Sequence, residues 1–117
     1  MDSTVAIGAL AALAQNTRLA AFRLLVGREP KGVPAGDLAR MLAIPQNTMS
    51  AHLGVLLRAG LVQSERRSRS IVYRADLERL REVMLFLAKD CCGGRPELCG
   101  PLLDDILSLS GDEAPTV

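Results

Sequence analysis

The stretch PQNTMSAHLGVLLRAGLVQSERRSRSIVYRAD, residues 45–76, decides how this chain folds. Its first half repeats at helical spacing: Met49, Leu53, Leu56 and Leu57 fall on one side and predict a buried stripe. Asn47, Thr48, Ala51, Gly54 and Arg58 fall on the opposite arc. Pro45 suits the first turn of a helix, and Gly60 suits the residue just past its end. The second half changes period. Leu61 and Val62 open one strand, and Ile71, Val72 and Tyr73 form another. A polar turn carrying Arg66, Arg67 and Arg69 is expected between them.

Outward from this stretch the pattern stays helical. Residues 4–14 read as a short Ala/Leu helix, after which Asn16 and Thr17 are residue types that cap a new one. Helix two has Leu19, Phe22, Leu25 and Val26 at inward spacing. GREPKGVP, residues 27–34, reads as a loop. A short third helix in AGDLARMLA, residues 35–43, turns Leu38, Met41 and Leu42 inward. Helix five is expected from about 76 to 89, with a stripe of Leu77, Leu80, Met84 and Leu87. Val83, Leu85 and Phe86 widen that stripe beyond what one core needs. Residues 101–110 could add one or two helical turns, and 111–117 has the composition of a disordered tail. The expected fold is mainly α with a β-hairpin wing, a winged helix-turn-helix over residues 1–90. Residues 91–117 form a cysteine-containing segment and acidic tail.

A chain of 117 residues supports one modest core. It has no Trp, and its aromatics are Phe22, Tyr73 and Phe86, so Leu, Ala, Val, Ile and Met must fill that core. So few aromatics hint that two chains share apolar surface. The N-terminal MDSTVAIGALAALAQ lacks a basic start and is too short to span a bilayer, so a cytoplasmic protein is expected, with its thiols reduced. Net charge is only +1, but it is unevenly spread. From 58 to 74, five arginines (Arg58, Arg66, Arg67, Arg69, Arg74) stand against Glu65, and from 90 to the end six acids stand against Arg95. The basic part is built for an anion, and the tail is not.

Two helices joined by a tight turn, followed by a basic hairpin, suit double-stranded DNA. A helix with small polar side chains can enter a major groove. Gln46 and Asn47 can bond base edges, and Thr48, Ser50 and His52 can reach phosphates or bases. His52 also borders the buried stripe. Arg66, Arg67 and Arg69 would neutralise backbone phosphates, which gives affinity without sequence information.

These same residues resemble the ArsR/SmtB family of metal-sensing repressors. The resemblance lies in Ser50-Ala51-His52-Leu53, Leu57-Arg58-Ala59-Gly60-Leu61-Val62, and Ser68-Arg69-Ser70-Ile71-Val72-Tyr73-Arg74. ALAQNTRLAAFRLL, residues 12–25, is similar to the family's start, and the likeness runs over roughly residues 8–90. It implies a homodimer through the first and last long helices, a DNA-binding transcriptional repressor, and an operator with approximate two-fold symmetry.

The family's usual metal sites are missing. The third helix has no Cys-x-Cys box, and the last long helix has no His. All three cysteines, Cys91, Cys92 and Cys99, sit in KDCCGGRPELCG, residues 89–100, an arrangement that resembles a subgroup of arsenite-responsive repressors. Three thiolates without a nearby histidine select a soft ion. Zinc would want a fourth ligand, whereas As(III) or Sb(III) takes three in a pyramid. Gly93 and Gly94 give the backbone freedom to converge adjacent cysteines, and Pro96 helps Cys99 return.

The residues therefore point to a repressor released by arsenite or antimonite. A redox, cadmium or lead sensor on the same scaffold is the alternative. An enzyme is not expected, because no base lies near the thiols in sequence and they follow a helix rather than opening one. No catalytic cofactor is expected. The site could be formed within one chain or shared between two, and a methylated trivalent arsenical would need fewer thiols.

Overall fold

In a computed structural model of the chain, residues 1–90, 97, 100–102, 104, 105 and 108 are described. The elements are α1 (Ser3–Leu13), α2 (Asn16–Gly27), β1 (Val33–Pro34), α3 (Ala35–Met41), α4 (Gln46–Arg58), β2 (Val62–Arg67), β3 (Ser70–Ala75) and α5 (Leu77–Leu85). A π-helical stretch, Phe86–Asp90, follows α5 directly. The chain divides into two units, Met1–Val83 and Met84–Val117. The first holds the helix-turn-helix and its wing. The second begins with the end of α5 and the π-helical stretch, and its described residues beyond 90 are helical. Among the described residues no single helix is long and apolar enough to cross a membrane.

The core of the first unit forms where α4 meets its neighbours. Met49, Leu53 and Leu56 of α4 are fully buried, as are Leu25, Leu38 and Leu61. Burying a side chain of this size contributes about 2 kcal/mol. Pro45 sits one position before its expected place: it is the N-cap of α4, with no side-chain hydrogen bond to offer. Leu19 and Met41, expected inside, are exposed. In α2 the inward arc is centred instead on Ala21, Phe22 and Leu25. α3 is only seven residues long and buries Leu38 and Ala39, which leaves Met41 off the inner face.

Both helices of the helix-turn-helix end in the same hydrogen-bond motif. After α4, the Gly60 N–H donates to Leu57 O at 3.0 Å and the Leu61 N–H to Leu56 O at 3.0 Å. After α3, the Ala43 N–H donates to Arg40 O at 3.2 Å and the Ile44 N–H to Ala39 O at 2.9 Å. This Schellman arrangement needs a left-handed residue. Gly60 supplies it with φ 77°, whereas Ala43 supplies it with φ 56°. In the first case the motif also brings buried Leu61 back onto the end of α4.

The sheet is antiparallel in the order β1-β3-β2. The hairpin β2-β3 was legible, but β1 lies in what read as a loop. It pairs Val33 with Tyr73 and Pro34 with Val72. Arg66 and Arg67 belong to the end of β2 rather than to the turn, since Arg67 pairs with Ser70 across a turn of Ser68 and Arg69. Asp76 joins the wing to α5. Its Oδ1 accepts the Arg79 N–H at 3.0 Å, its Oδ2 accepts from Gln63 at 3.2 Å, and its own N–H donates to Leu61 O at 2.8 Å. The α-helix stops at Leu85, short of the expected 89, and the last residues wind as the π-helical stretch.

α1 is inverted. It buries Ala6, Ala9 and Ala12 and exposes Val5, Ile7 and Leu10. Its small inward residues let it lie close to the core, and its larger apolar ones face outward. On α5, Leu77, Met84 and Leu85 are exposed, as is Leu87 beyond it.

Two substitutions test the backbone argument. A Cβ at Gly32, whose φ is 78°, would sit 2.7 Å from Tyr73 O and 2.8 Å from Val72 Cγ1. Gly32→Ala is expected to cost roughly 2 kcal/mol or more, and Ala43→Gly to stabilise by up to about 1 kcal/mol. Urea unfolding midpoints of the two variants check both signs.

Candidate nucleic-acid interface

The outer face of α4 is set by the burial of its inner one. With Met49, Leu53 and Leu56 fixed in the core, Asn47, Thr48, Ala51 and Arg58 are held at the surface, all exposed. Gln46 and Ser50, also exposed, flank that arc. They form one wall of an open cleft of about 430 Å³ between α4 and the wing. Arg69 and Ser70 lie on the opposite wall. Helix and wing thus flank a common space, as a reader of groove and adjacent backbone requires. Asp37 also lines this cleft, and Arg40 offsets its charge with a 2.8 Å ion pair.

The wing's arginines differ in what holds them. Arg67 donates to Glu65 Oε1 at 2.9 Å and to Lys31 O at 3.0 Å. Arg74 forks onto Glu29, with Nη2 to Oε1 at 2.9 Å and Nε to Oε2 at 3.3 Å. That hydrogen bond, aided by the charge of Glu29, raises the Arg74 guanidinium above its ordinary pKa. Both arginines tie the segment before β1 to the hairpin. Arg66 and Arg69 are exposed, and neither side chain makes an ion pair or hydrogen bond among the described residues.

Residues 13–65 match the family model of the helix-turn-helix domain. An ArsR-like transcriptional regulator from Rhodococcus sp. RHA1 is 26% identical, covering 91% of this chain and 89% of that one with a TM-score of 0.66. The transcriptional repressor BigR from Xylella fastidiosa is 28% identical, covering 69% and 81% with a TM-score of 0.56. The homodimeric winged helix-turn-helix DNA-binding domain of a possible ArsR-family regulator from Mycobacterium bovis is 25% identical, covering 70% and 74% with a TM-score of 0.61. No curated protein sequence is similar enough to count as a relative. The chain is a DNA-binding regulator with the ArsR-type winged helix. Its neighbours are transcriptional regulators and not enzymes.

Within this regulator the expected site residues separate into groups. Gln46, Asn47, Thr48 and Ser50 share the open end of α4. Asn47 Oδ1 accepts from the Thr48 N–H at 2.9 Å, which takes up one of that oxygen's two acceptor positions. Among the described residues the Arg66 and Arg69 side chains have no partner, whereas Arg67 is engaged. His52 is turned away from the outer arc and half-buried, its Nδ1 lying 3.4 Å from Arg18 Nη1. Sequence reasoning missed Arg18 as a site neighbour. Its signal was weak: one arginine after a cap, with a partner 34 positions away.

Cys91, Cys92 and Cys99 lie outside the described residues. Among the described residues no group of three or more His, Cys, Asp or Glu is placed to hold a metal.

The separation of the arginines is testable by salt-dependent DNA binding. Arg66→Gln and Arg69→Gln are each expected to lower affinity evenly across sequences and to reduce the log–log salt slope by about 1. Arg67→Gln should change the slope less, because Glu65 already offsets its charge.

Proposed function

We propose that this regulator is a homodimeric repressor whose operator binding is ended by trivalent arsenic or antimony. The observation that carries the reading is the confinement of all three cysteines to residues 91–99, directly after the π-helical end of the last long helix. Three soft donors match the coordination number of As(III) or Sb(III) without outside help. The arginine-rich wing and the thiol segment are different parts of the chain, so one can carry DNA and the other the signal.

In this reading Gln46, Asn47, Thr48 and Ser50 read the major groove. Arg66 and Arg69 hold phosphates, and His52 supports the reading helix. Cys91, Cys92 and Cys99 take the metalloid. The outward apolar faces of α1 and α5 are where a second copy packs, consistent with the homodimeric domain from Mycobacterium bovis. A repressor's role is in line with the chain's likeness to the transcriptional repressor BigR from Xylella fastidiosa. Ligand capture reshapes the chain directly after α5 in sequence, and so alters the spacing of the two readers. The coupling this requires is roughly 1–3 kcal/mol, a 5- to 150-fold loss of DNA affinity. Three reduced thiols suit a cytoplasmic protein.

Fluorescence anisotropy of the reduced dimer on its own promoter DNA tests this directly. Arsenite is expected to release the DNA at micromolar concentration, and Cys99→Ser to bind DNA normally but resist release. Release by cadmium or peroxide with no response to arsenite would keep the repressor and replace its inducer with a soft divalent metal or an oxidant.

A further inference from the structure

We infer that Arg18 is a positioning residue for DNA reading, holding α4 to the C-terminal end of α1. The inference rests on α4 being the reading helix. It concerns a residue that touches no DNA.

The last carbonyls of a helix have no partner within it. α1 ends at Leu13, and Arg18 satisfies that end from the next helix. Its Nε donates to Ala12 O at 2.6 Å, and its Nη2 reaches Ala11 O at 3.5 Å. A cation here also complements the negative end of the helix dipole. The arginine is anchored behind: its own N–H donates to the Gln15 side chain at 2.8 Å, the cap of α2. The third branch, Nη1, lies 3.4 Å from His52 Nδ1 on α4. A guanidinium only donates, so Nδ1 is the acceptor and the ring proton is assigned to Nε2. One side chain therefore touches the ends or flanks of α1, α2 and α4.

α1 meets the core that holds α4 through the small buried side chains of Ala9 and Ala12, a contact with little lateral interlocking. Between α1 and α4 lies an open cleft of about 320 Å³, lined by Gly8, Ala12, Val55 and Ala59 with Arg18 and Arg58 at its edge. Small side chains beside such a gap make fewer dispersion contacts than large ones. The polar bridge adds a directional restraint to that packing. Arginine suits the task, because its planar fork reaches two carbonyls and an imidazole at once; lysine offers a single point of donation. In a dimer paired through α1, the two α4 helices are then spaced by the path from α1 through Arg18. That spacing must match successive major grooves, about 34 Å apart.

A double-mutant cycle on operator affinity tests the bridge, with dimer mass followed by sedimentation. Arg18→Gln is expected to lower affinity about tenfold or more, which is roughly 1.4 kcal/mol, while the dimer persists. His52→Leu should lower it as well, and the double variant should be no worse than the weaker single one. His52→Asn keeps an acceptor near the place of Nδ1, so in that background Arg18→Gln should still exact its full loss. Unchanged affinity, or losses that simply add, would overturn the inference. Should Arg18→Gln fail to fold, Arg18→Lys takes its place in the cycle with the same expectation. Amide exchange in the DNA-free protein separates the two ways of failing. If α4 amides exchange no faster in Arg18→Lys, the Arg18 inference falls. If they exchange faster but the wild-type chain binds no duplex DNA, the functional reading falls instead.

Discussion

Everything the first unit does depends on the seating of α4 by Met49, Leu53 and Leu56. These three side chains are fully out of water. Turning α4 by even one residue position would rotate it by about 100°, exchanging apolar for polar side chains in the core. The rotation of the helix is thereby fixed, and with it the direction in which Asn47 and Thr48 point. Two Schellman turns fix the remaining freedom. The one after α3 sets where α4 begins, and the one after α4 returns Leu61 to the core and starts β2. Asp76 N–H donates to Leu61 O, so the same residue also receives the far end of the hairpin. Reader, wing and last helix are registered on one short run of chain.

The parts of this arrangement that were legible in sequence are those governed by local periodicity and backbone chemistry. The stripe of α4, the stop at Gly60 and the hairpin all follow from spacing and residue type. β1 was not legible, because two residues, Val33 and Pro34, carry no period; their strand exists through pairing with Tyr73 and Val72. Leu19 and Met41 satisfied helical spacing yet lie outside, since spacing gives a face but not its width. At the candidate interface, residue type pointed to Gln46, Asn47, Ser50 and the wing arginines Arg66, Arg67 and Arg69, all of which lie exposed. It could not say which arginines were already paired. Glu29 is 45 positions from Arg74, and that separation hides the pair from any local reading.

The wing shows how a charge count overstates an electrostatic surface. Five arginines stand between residues 58 and 74, but Arg67 and Arg74 hold Glu65 and Glu29 and brace the loop before β1. Their work is largely internal. The exposed Arg67–Glu65 pair adds little stability, typically under about 1 kcal/mol, and the half-buried Arg74–Glu29 fork holds the strand edge in place. Arg66 and Arg69 project from the hairpin so braced. Stiffness and attraction are thus divided among residues of one type.

The inverted faces of α1 carry a consequence for the amount of protein rather than its shape. Under the homodimeric reading, a helix that spends its alanines on its own core and keeps Val5, Ile7 and Leu10 on the outside adds apolar burial by meeting a second chain. In that reading, the population of paired readers then grows with the square of chain concentration while pairing is incomplete. Doubling synthesis would raise it up to about fourfold by mass action. A cell holding few copies would leave the operator nearly vacant, and a modest rise in expression would close it sharply, with no ligand involved at all.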